Sequence, residues 1–239
     1  MEKAQILENG GAGAEIRPDF RHVKNWIFDL DNTLYRADNG IFAQIESRMT
    51  DYVMAFLGLE RPVAYARQKH LYRQYGTTLN GLMREHDAAP DDYLRYVHDI
   101  DLSSLGPDAA LAAAIEKLPG RCFVFTNGCR DHAARILSRL EIAHLFEDVW
   151  DIRTMDFRPK PQAEAYASVV QAGGVTCAQA AMFDDIACNL VPARALGMTT
   201  VWLKSDSPWS KHGPPLDIAA CDIDHETDNL TQFLRTIRI

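Results

Sequence analysis

Short apolar segments that alternate with helical patterns are the feature that most constrains how this chain of 239 residues can fold. Many of the segments are rich in β-branched or aromatic residues, which is typical of strands covered on both faces. Their alternation with helices predicts right-handed crossovers and an α/β fold built on a doubly wound parallel sheet. The predicted strands span residues 23–28, 121–125, 148–151, 180–183 and 199–203, with a further one near 221–223. The predicted helices between them span residues 131–140, 162–172 and 188–196.

One long stretch between the first two predicted strands breaks this alternation. Residues 35–106 contain no convincing strand and are far too long for a simple crossover. We therefore expect an inserted helical subdomain, a cap, above the carboxyl edge of the sheet. Its predicted helices span residues 41–57, 62–75, 79–86 and 90–98. The predicted division is a flexible leader over residues 1–20, a core formed by residues 21–36 and 107–239, and the cap over residues 37–106.

Charge and composition exclude several classes of function. The formal net charge is −8, so the broad basic surface that binds nucleic-acid polymers is not expected. No apolar run approaches the length needed to span a membrane, and the start of the chain lacks the apolar core of a signal peptide. The five cysteines form no CxxC pair. These properties predict a cytoplasmic protein, which we expect to be a monomer or a homodimer.

Two carboxylates follow the first predicted strand at alternate positions, Asp29 and Asp31. Alternate residues of a strand point to the same face, and ligands of parallel sheets bind at the carboxyl ends of the strands. Two acidic groups crowded in that crevice repel each other unless a cation lies between them or one has a raised pKa. Either arrangement predicts chemistry: a metal site, or a nucleophile beside an acid.

Polar residues also follow the second and third predicted strands. Thr126 and Asn127 precede a helix, where they could form an anion cradle or merely cap the helix. Lys160 lies between two prolines, so it would project from a constrained loop. It is either a functional cation or a solvated loop lysine.

The fourth strand end carries adjacent carboxylates, Asp184 and Asp185. A hard divalent cation held by oxygen ligands would explain this negative charge, and Mg²⁺ suits a phosphate site. The alternative is a turn in which Asp185 caps the next helix. Asn189 lies one helical turn further on and could orient these carboxylates.

The four strand ends carry Asp-x-Asp-x-Thr, Thr-Asn, Lys-Pro and Asp-Asp in that order. This set resembles the haloacid dehalogenase (HAD) superfamily of phosphotransferases over about residues 23–205. The insertion is similar to that superfamily's helical cap of the C1 type, which lies between its first two motifs. The resemblance implies a Rossmann-like core and a Mg²⁺-dependent phosphomonoester hydrolase that works through an aspartyl-phosphate.

Roles for individual residues also follow from the resemblance alone. It implies that Asp29 is the nucleophile and Asp31 the general acid and then the base. It also implies that Mg²⁺ is held by Asp29, the backbone carbonyl of Asp31, and Asp185, with Asp184 bound directly or through water. The residues that it implies for the phosphoryl group are Thr126, Asn127 and Lys160. An acid at position 31 indicates a phosphatase or phosphomutase, because halide needs no proton to leave.

Segments 32–35, 72–82 and 125–128 are similar to the pyrimidine 5'-nucleotidase branch, which implies a UMP- or CMP-like nucleoside monophosphate as substrate. Residues that could contact the base are Tyr72 and Tyr75 by stacking, and Thr77 and Asn80 by hydrogen bonds. The tyrosines could equally pack the cap's own core. Another small-molecule phosphatase, a phosphosugar mutase and a catalytically silent binding protein remain as alternatives.

Overall fold

Six parallel strands form a single sheet in the order β3-β2-β1-β4-β5-β6. The structure is a computed structural model, and it describes residues 17–205 and 223–239. Helices cover the sheet, so the predicted Rossmann-like α/β fold is confirmed. The strands are β1 (Asn25–Phe28), β2 (Arg121–Phe125), β3 (Asp148–Trp150), β4 (Ala180–Asp184), β5 (Thr199–Leu203) and β6 (His225–Thr227).

The sixth strand of the sheet differs in position from the one predicted last along the chain. It was expected near 221–223, but residues 221 and 222 lie outside the described part of the chain and β6 begins at His225. Its three residues are polar and partly exposed at the edge of the sheet, so no apolar run marks it. Edge strands of this kind escape a search for buried strands.

Four helices occupy the segment expected to form the cap, and they pack against one another. They are α1 (Ile41–Leu57), α2 (Arg61–Tyr75), α3 (Thr78–His86) and α4 (Pro90–Val97). Ile41, Ile45 and Val53 recur at helical spacing and form the buried face of α1. Thr77 begins α3, because its side chain accepts a hydrogen bond from the Asn80 N–H.

The remaining helices flank the sheet. They are α5 (Ala109–Ile115), α6 (Arg130–Arg139), α7 (Ala163–Gly173), α8 (Ala187–Ala195) and α9 (Leu230–Thr236). The predicted helices at 131–140, 162–172 and 188–196 lie within one residue of the observed bounds. The sequence missed α5 and α9, which have seven residues each. Two turns are too few to show a helical period, and contact between α5 and α9 stabilises both.

Core packing begins inside the range predicted as a leader. Phe20 is fully buried and stacks on Trp26, with 5.8 Å between ring centroids. Its N–H donates to the Arg238 carbonyl at 2.8 Å. Burial of an aromatic ring provides the stabilisation that holds this part of the chain in place, so Phe20 belongs to the core. Residues 1–16 lie outside the described chain. None of the helices that the structure describes is long and apolar enough to cross a membrane.

The register of the central strands determines where the polar residues meet. Phe28 pairs with Val124 of β2 and with Phe183 of β4, so the residues that follow these strands emerge at one edge. Asp29 extends the ladder, because its N–H donates to the Phe183 carbonyl at 2.9 Å. The Thr126 N–H likewise donates to the Trp150 carbonyl at 2.9 Å and extends β2. The predicted site residues therefore converge at the carboxyl edge of the sheet.

Candidate active site

Lys160 is at the centre of the site. Its side chain is 1% exposed although it comes from the loop between β3 and α7. Its Nζ donates to Asp29 Oδ1 at 2.8 Å, Asp184 Oδ2 at 2.7 Å and the Phe125 carbonyl at 2.7 Å. Burial by itself would lower the pKa of Lys160, but the charges of Asp184 and Asp29 raise it. The lysine is therefore a buried cation between two carboxylates, and the alternative of a solvated loop lysine is wrong.

Three carboxylates gather beside this ammonium group. Asp29, Asp184 and Asp185 are buried, and each offers one oxygen within 4.8 Å of the others. Burial raises the pKa of Asp29, and the charge of Asp184 adds to this while Lys160 opposes it. Burial and the charges of Asp29 and Asp184 likewise raise the pKa of Asp185. One cation therefore does not balance the cluster.

The donor set at this cluster fits a divalent metal ion. Asp185 Oδ2 is buried and has no hydrogen-bond partner among the described residues. Buried carboxylate oxygens without donors are costly unless a cation binds them. Mg²⁺ prefers oxygen ligands, and here Asp29 and Asp185 supply them. Asp185 is also not the N-cap of the next helix, because α8 begins at Ala187 and its N-cap is Ile186.

Asp184 is already hydrogen-bonded more completely than its neighbours. It accepts from Lys160 Nζ, from the Ile186 N–H at 2.9 Å, and from Asn189 Nδ2 at 2.9 and 3.1 Å. These bonds leave little of its oxygen capacity for a direct metal contact. Asn189 thus orients a carboxylate, which is the arrangement that its spacing indicated.

Thr126 and Asn127 lie at the end of β2, where they line a cavity above the carboxylates. Asn127 Oδ1 accepts from the Lys160 N–H at 2.8 Å, and its Nδ2 donates to the Lys160 carbonyl at 3.1 Å. The two bonds hold the loop that carries Lys160. Thr126 Oγ1 accepts from the Gly128 N–H at 2.9 Å. Neither residue caps the helix, since α6 begins at Arg130 with Cys129 as its N-cap.

Asp31 has partners that the sequence analysis missed. Its Oδ1 accepts from the Tyr35 hydroxyl at 2.5 Å and lies 2.8 Å from His132 Nε2. Burial by itself would raise the pKa of Asp31, but His132 and Tyr35 lower it. The only signals in the sequence were a tyrosine four residues after Asp31 and a histidine in the helix that follows Thr126. Neither signal identifies a contact across 101 residues.

The cavity lies between the sheet edge and the segment expected to form the cap, and its volume is about 150 Å³. Its floor includes Asp29, Asp31 and Lys160. Opposite them lie apolar side chains of α1, α3 and α4, namely Phe42, Ile45, Met49, Leu79, Leu94 and Val97. Such a cavity fits a small ligand that has an apolar or planar part.

Two of the four residues predicted to contact the base line this cavity: Tyr72 and Thr77. Burial raises the pKa of Tyr72 above its usual range. Thr77 also caps α3, so its hydroxyl oxygen is partly occupied.

The other two residues predicted to contact the base are Tyr75 and Asn80. Within the described chain, neither Tyr75 nor Asn80 lines the cavity. Asn80 Nδ2 donates to the Tyr75 carbonyl at 2.9 Å, and the interaction with Glu85 raises the pKa of the Tyr75 hydroxyl. The helical phase of α2 turns Tyr75 toward α3, so both residues stabilise the helix pair.

Polar cavity residues that the sequence analysis did not single out come from α1 and α2. Gln68 is buried, and its Oε1 accepts from the Thr50 hydroxyl at 2.6 Å. Glu46 and Lys69 form an ion pair on the same wall. A helical period could show that these positions share a face, but not that this face meets a cavity.

Comparison with known proteins agrees with this geometry. Residues 23–197 match the family model of haloacid dehalogenase-like hydrolases. Phosphate metabolism protein 8 of Saccharomyces cerevisiae is 28% identical over 193 residues, which cover 73% of this chain and 60% of that protein. This chain thus spans less than two thirds of the length of that relative.

Solved structures show the same fold. An HAD phosphatase from Thermococcus onnurineus superposes with a TM-score of 0.58 and 16% identity, covering 91% of this chain and 100% of that one. The HAD hydrolase YfnB of Bacillus subtilis, solved with magnesium, superposes with a TM-score of 0.56 and 15% identity, covering 91% of this chain and 99% of that one. The L-2-haloacid dehalogenase of Xanthobacter autotrophicus superposes with a TM-score of 0.55 and 15% identity, covering 89% of this chain and 97% of that one. The structural neighbours therefore include both phosphatases and dehalogenases.

Proposed function

This chain belongs to the haloacid dehalogenase-like hydrolase family, and from that membership we propose that it is a Mg²⁺-dependent phosphatase of small phosphate monoesters. The observation that carries the proposal is Asp31, a carboxylic acid that lines the cavity two positions after Asp29. An alkoxide leaving group needs a proton, whereas a halide does not. An acid beside the nucleophile therefore favours phosphate-ester hydrolysis over dehalogenation.

In the proposed reaction, Asp29 attacks phosphorus and forms an aspartyl-phosphate as the ester P–O bond breaks. Asp31 donates a proton to the departing oxygen, which leaves as an alcohol. Asp31 then removes a proton from water, whose oxygen attacks phosphorus and releases inorganic phosphate from Asp29. The two half-reactions return both carboxyl groups to their starting states.

Neighbouring residues support these steps electrostatically. We assign the buried ammonium of Lys160 to balance charge on Asp29 and on the phosphoryl oxygens. Asp184 orients this ammonium and is itself held by a hydrogen bond from Asn189. Thr126 and Asn127 would bind the phosphoryl group from the cavity wall. The proposed ligands of Mg²⁺ are Asp29, the backbone carbonyl of Asp31, and Asp185. The ion would supply positive charge that offsets repulsion between nucleophile and substrate.

Metal dependence is the first test of this proposal. Chelator treatment is expected to abolish phosphate release, and Mg²⁺ should restore it. At about 100 times its dissociation constant, Mg²⁺ should also raise the melting temperature of wild type by about 5–10 °C. Asp185→Asn should lose most of that shift, because an amide replaces the carboxylate that lacks donors.

The control for this test is Asp156→Asn, which changes an exposed carboxylate and should keep the whole thermal shift. Full activity in the presence of chelator would remove the metal from the mechanism. A thermal shift that survives Asp185→Asn would place the ion elsewhere.

For the substrate, we propose a pyrimidine nucleoside monophosphate such as UMP or CMP. Tyr72 supports this proposal because its ring lines the cavity, where it can stack on a planar base. Gln68 adds an amide to the cavity wall, which could bond a base edge.

A substrate panel tests this specificity. We expect kcat/KM for UMP or CMP to exceed that for AMP and for sugar phosphates by at least about 10-fold. Tyr72→Ala should reduce this preference, whereas Tyr96→Ala, which changes an exposed tyrosine of α4, should not. Equal kcat/KM across the panel, measured as inorganic phosphate released, would leave a general small-molecule phosphatase instead.

A further inference from the structure

We propose that His132 and Tyr35 are positioning residues that hold Asp31 Oδ1 and thereby direct Oδ2 to the leaving group. This inference rests on the proposed phosphatase function and deepens it. Both hydrogen bonds converge on the same carboxylate oxygen, at 2.8 Å from His132 Nε2 and 2.5 Å from the Tyr35 hydroxyl. The Tyr35 hydroxyl donates to Oδ1, and His132 donates to the same oxygen in the tautomer that carries its proton on Nε2.

The two bonds determine which oxygen can carry the transferable proton. Oδ1 already accepts two donors, so a proton on Asp31 belongs on Oδ2. Asp31 lines the cavity and its side chain is 14% exposed, so this carboxyl group is accessible to substrate. In the first half-reaction the Oδ2 proton moves to the departing ester oxygen while the P–O bond breaks. Without the two donors the carboxyl group could rotate and present either oxygen.

Among the described residues, Asp31 is the hydrogen-bond partner of the His132 side chain, and its second ring nitrogen has none. The imidazole is fully buried, and its Nδ1 has no hydrogen-bond partner in the part of the chain that the structure describes. The bond to Asp31 is thus its only side-chain hydrogen bond there. A histidine kept only to stabilise the fold would be expected to use both ring nitrogens when buried.

A stacked ring fixes the plane of that imidazole. His98, at the end of α4, lies parallel to His132 with 4.3 Å between centroids and 11° between planes. His98 is itself held by Cys129, whose Sγ lies 3.2 Å from His98 Nδ1. Positioning of Asp31 therefore extends from the turn after β1 through α6 to the segment expected to form the cap.

The test compares two esters of similar size that differ in their need for a proton. p-Nitrophenyl phosphate releases a stable phenolate, whereas p-nitrobenzyl phosphate releases a basic alkoxide. The measured quantity is kcat/KM, because it includes only steps up to the first irreversible one. His132→Leu is expected to lower kcat/KM for the benzyl ester on the order of 10²-fold and to lower that for the phenyl ester far less.

Conservative and matched variants separate positioning from folding. His132→Gln keeps an N–H near the position of Nε2 and should recover most of the loss on the benzyl ester. Tyr35→Phe removes the other donor and should discriminate between the esters in the same direction. It also serves as the test if His132→Leu fails to fold. Asp31→Asn is the reference, because it removes the acid itself and should show the largest discrimination.

Equal losses on both esters in His132→Leu and Tyr35→Phe would overturn the inference, because a general structural defect does not depend on the leaving group. Unchanged kcat/KM on both esters would overturn it too. Wild type that releases no phosphate from these esters or from any nucleotide would instead refute the proposed function. The two failures are therefore distinguishable.

Discussion

Asp29→Asn is expected to abolish phosphate release from every substrate, with kcat lowered by at least about 10⁴-fold. The amide has almost the same shape as the carboxylate, but it is not a nucleophile and cannot form the aspartyl-phosphate. It also removes one of the proposed metal ligands. The measurement is inorganic phosphate released under saturating substrate and Mg²⁺.

The fold should tolerate this substitution. Burial raises the pKa of Asp29, so a neutral group at this position costs less than a charge would. We therefore expect the metal-free variant to melt at or above the temperature of metal-free wild type. Asp92→Asn, which changes an exposed carboxylate of α4, is the matched control and should retain full activity. Normal turnover by Asp29→Asn would refute the assigned nucleophile.

Lys160→Met is expected to have the largest effect on stability. The ammonium group is the cation between Asp29 and Asp184, and all three side chains are buried. Methionine keeps the apolar stem but leaves two carboxylates without a counter-charge. Removing one partner of a buried ion pair typically costs 3–5 kcal/mol, so the free energy of unfolding should fall by about that amount in the absence of metal. Phosphate release should fall by at least about 10²-fold.

Denaturant unfolding with a double-mutant cycle checks the cause. Adding Asp29→Asn to Lys160→Met removes one uncompensated charge, so the double variant should be more stable than Lys160→Met alone. Lys117→Met, which changes an exposed lysine, should alter the free energy of unfolding by less than about 0.5 kcal/mol. Strictly additive effects would show that Lys160 does not stabilise the fold through Asp29.

The central residues of the site were predictable because they follow buried strands of a parallel sheet. Asp29 and Asp31 directly follow β1, and the rule that the ends of parallel strands converge brings Asp184 and Asp185 to the same edge. These are local patterns that act through a simple topology. The sequence could not show that Lys160 is buried, because a loop lysine between prolines is compatible with either environment.

The tyrosines predicted to stack on a base could not be distinguished from the sequence. Tyr72 and Tyr75 differ by less than one helical turn, yet only Tyr72 lines the cavity within the described chain. Their orientation depends on the phase of α2 against α3, and stacking propensity carries no information about it. The partners of Asp31 were missed for a related reason: His132 lies 101 residues away and in a different element.

The amino-acid sequence by itself determined the class of fold, the family and the chemical types at the four strand ends, because apolar periodicity and strand-end motifs are local properties of the chain. Only the tertiary structure decided that Lys160 is buried between Asp29 and Asp184, that His132 and Tyr35 bond the same oxygen of Asp31, and which side chains of α1 to α4 meet the cavity. The physical reason is that burial and hydrogen bonding between distant segments depend on how helices pack over the sheet.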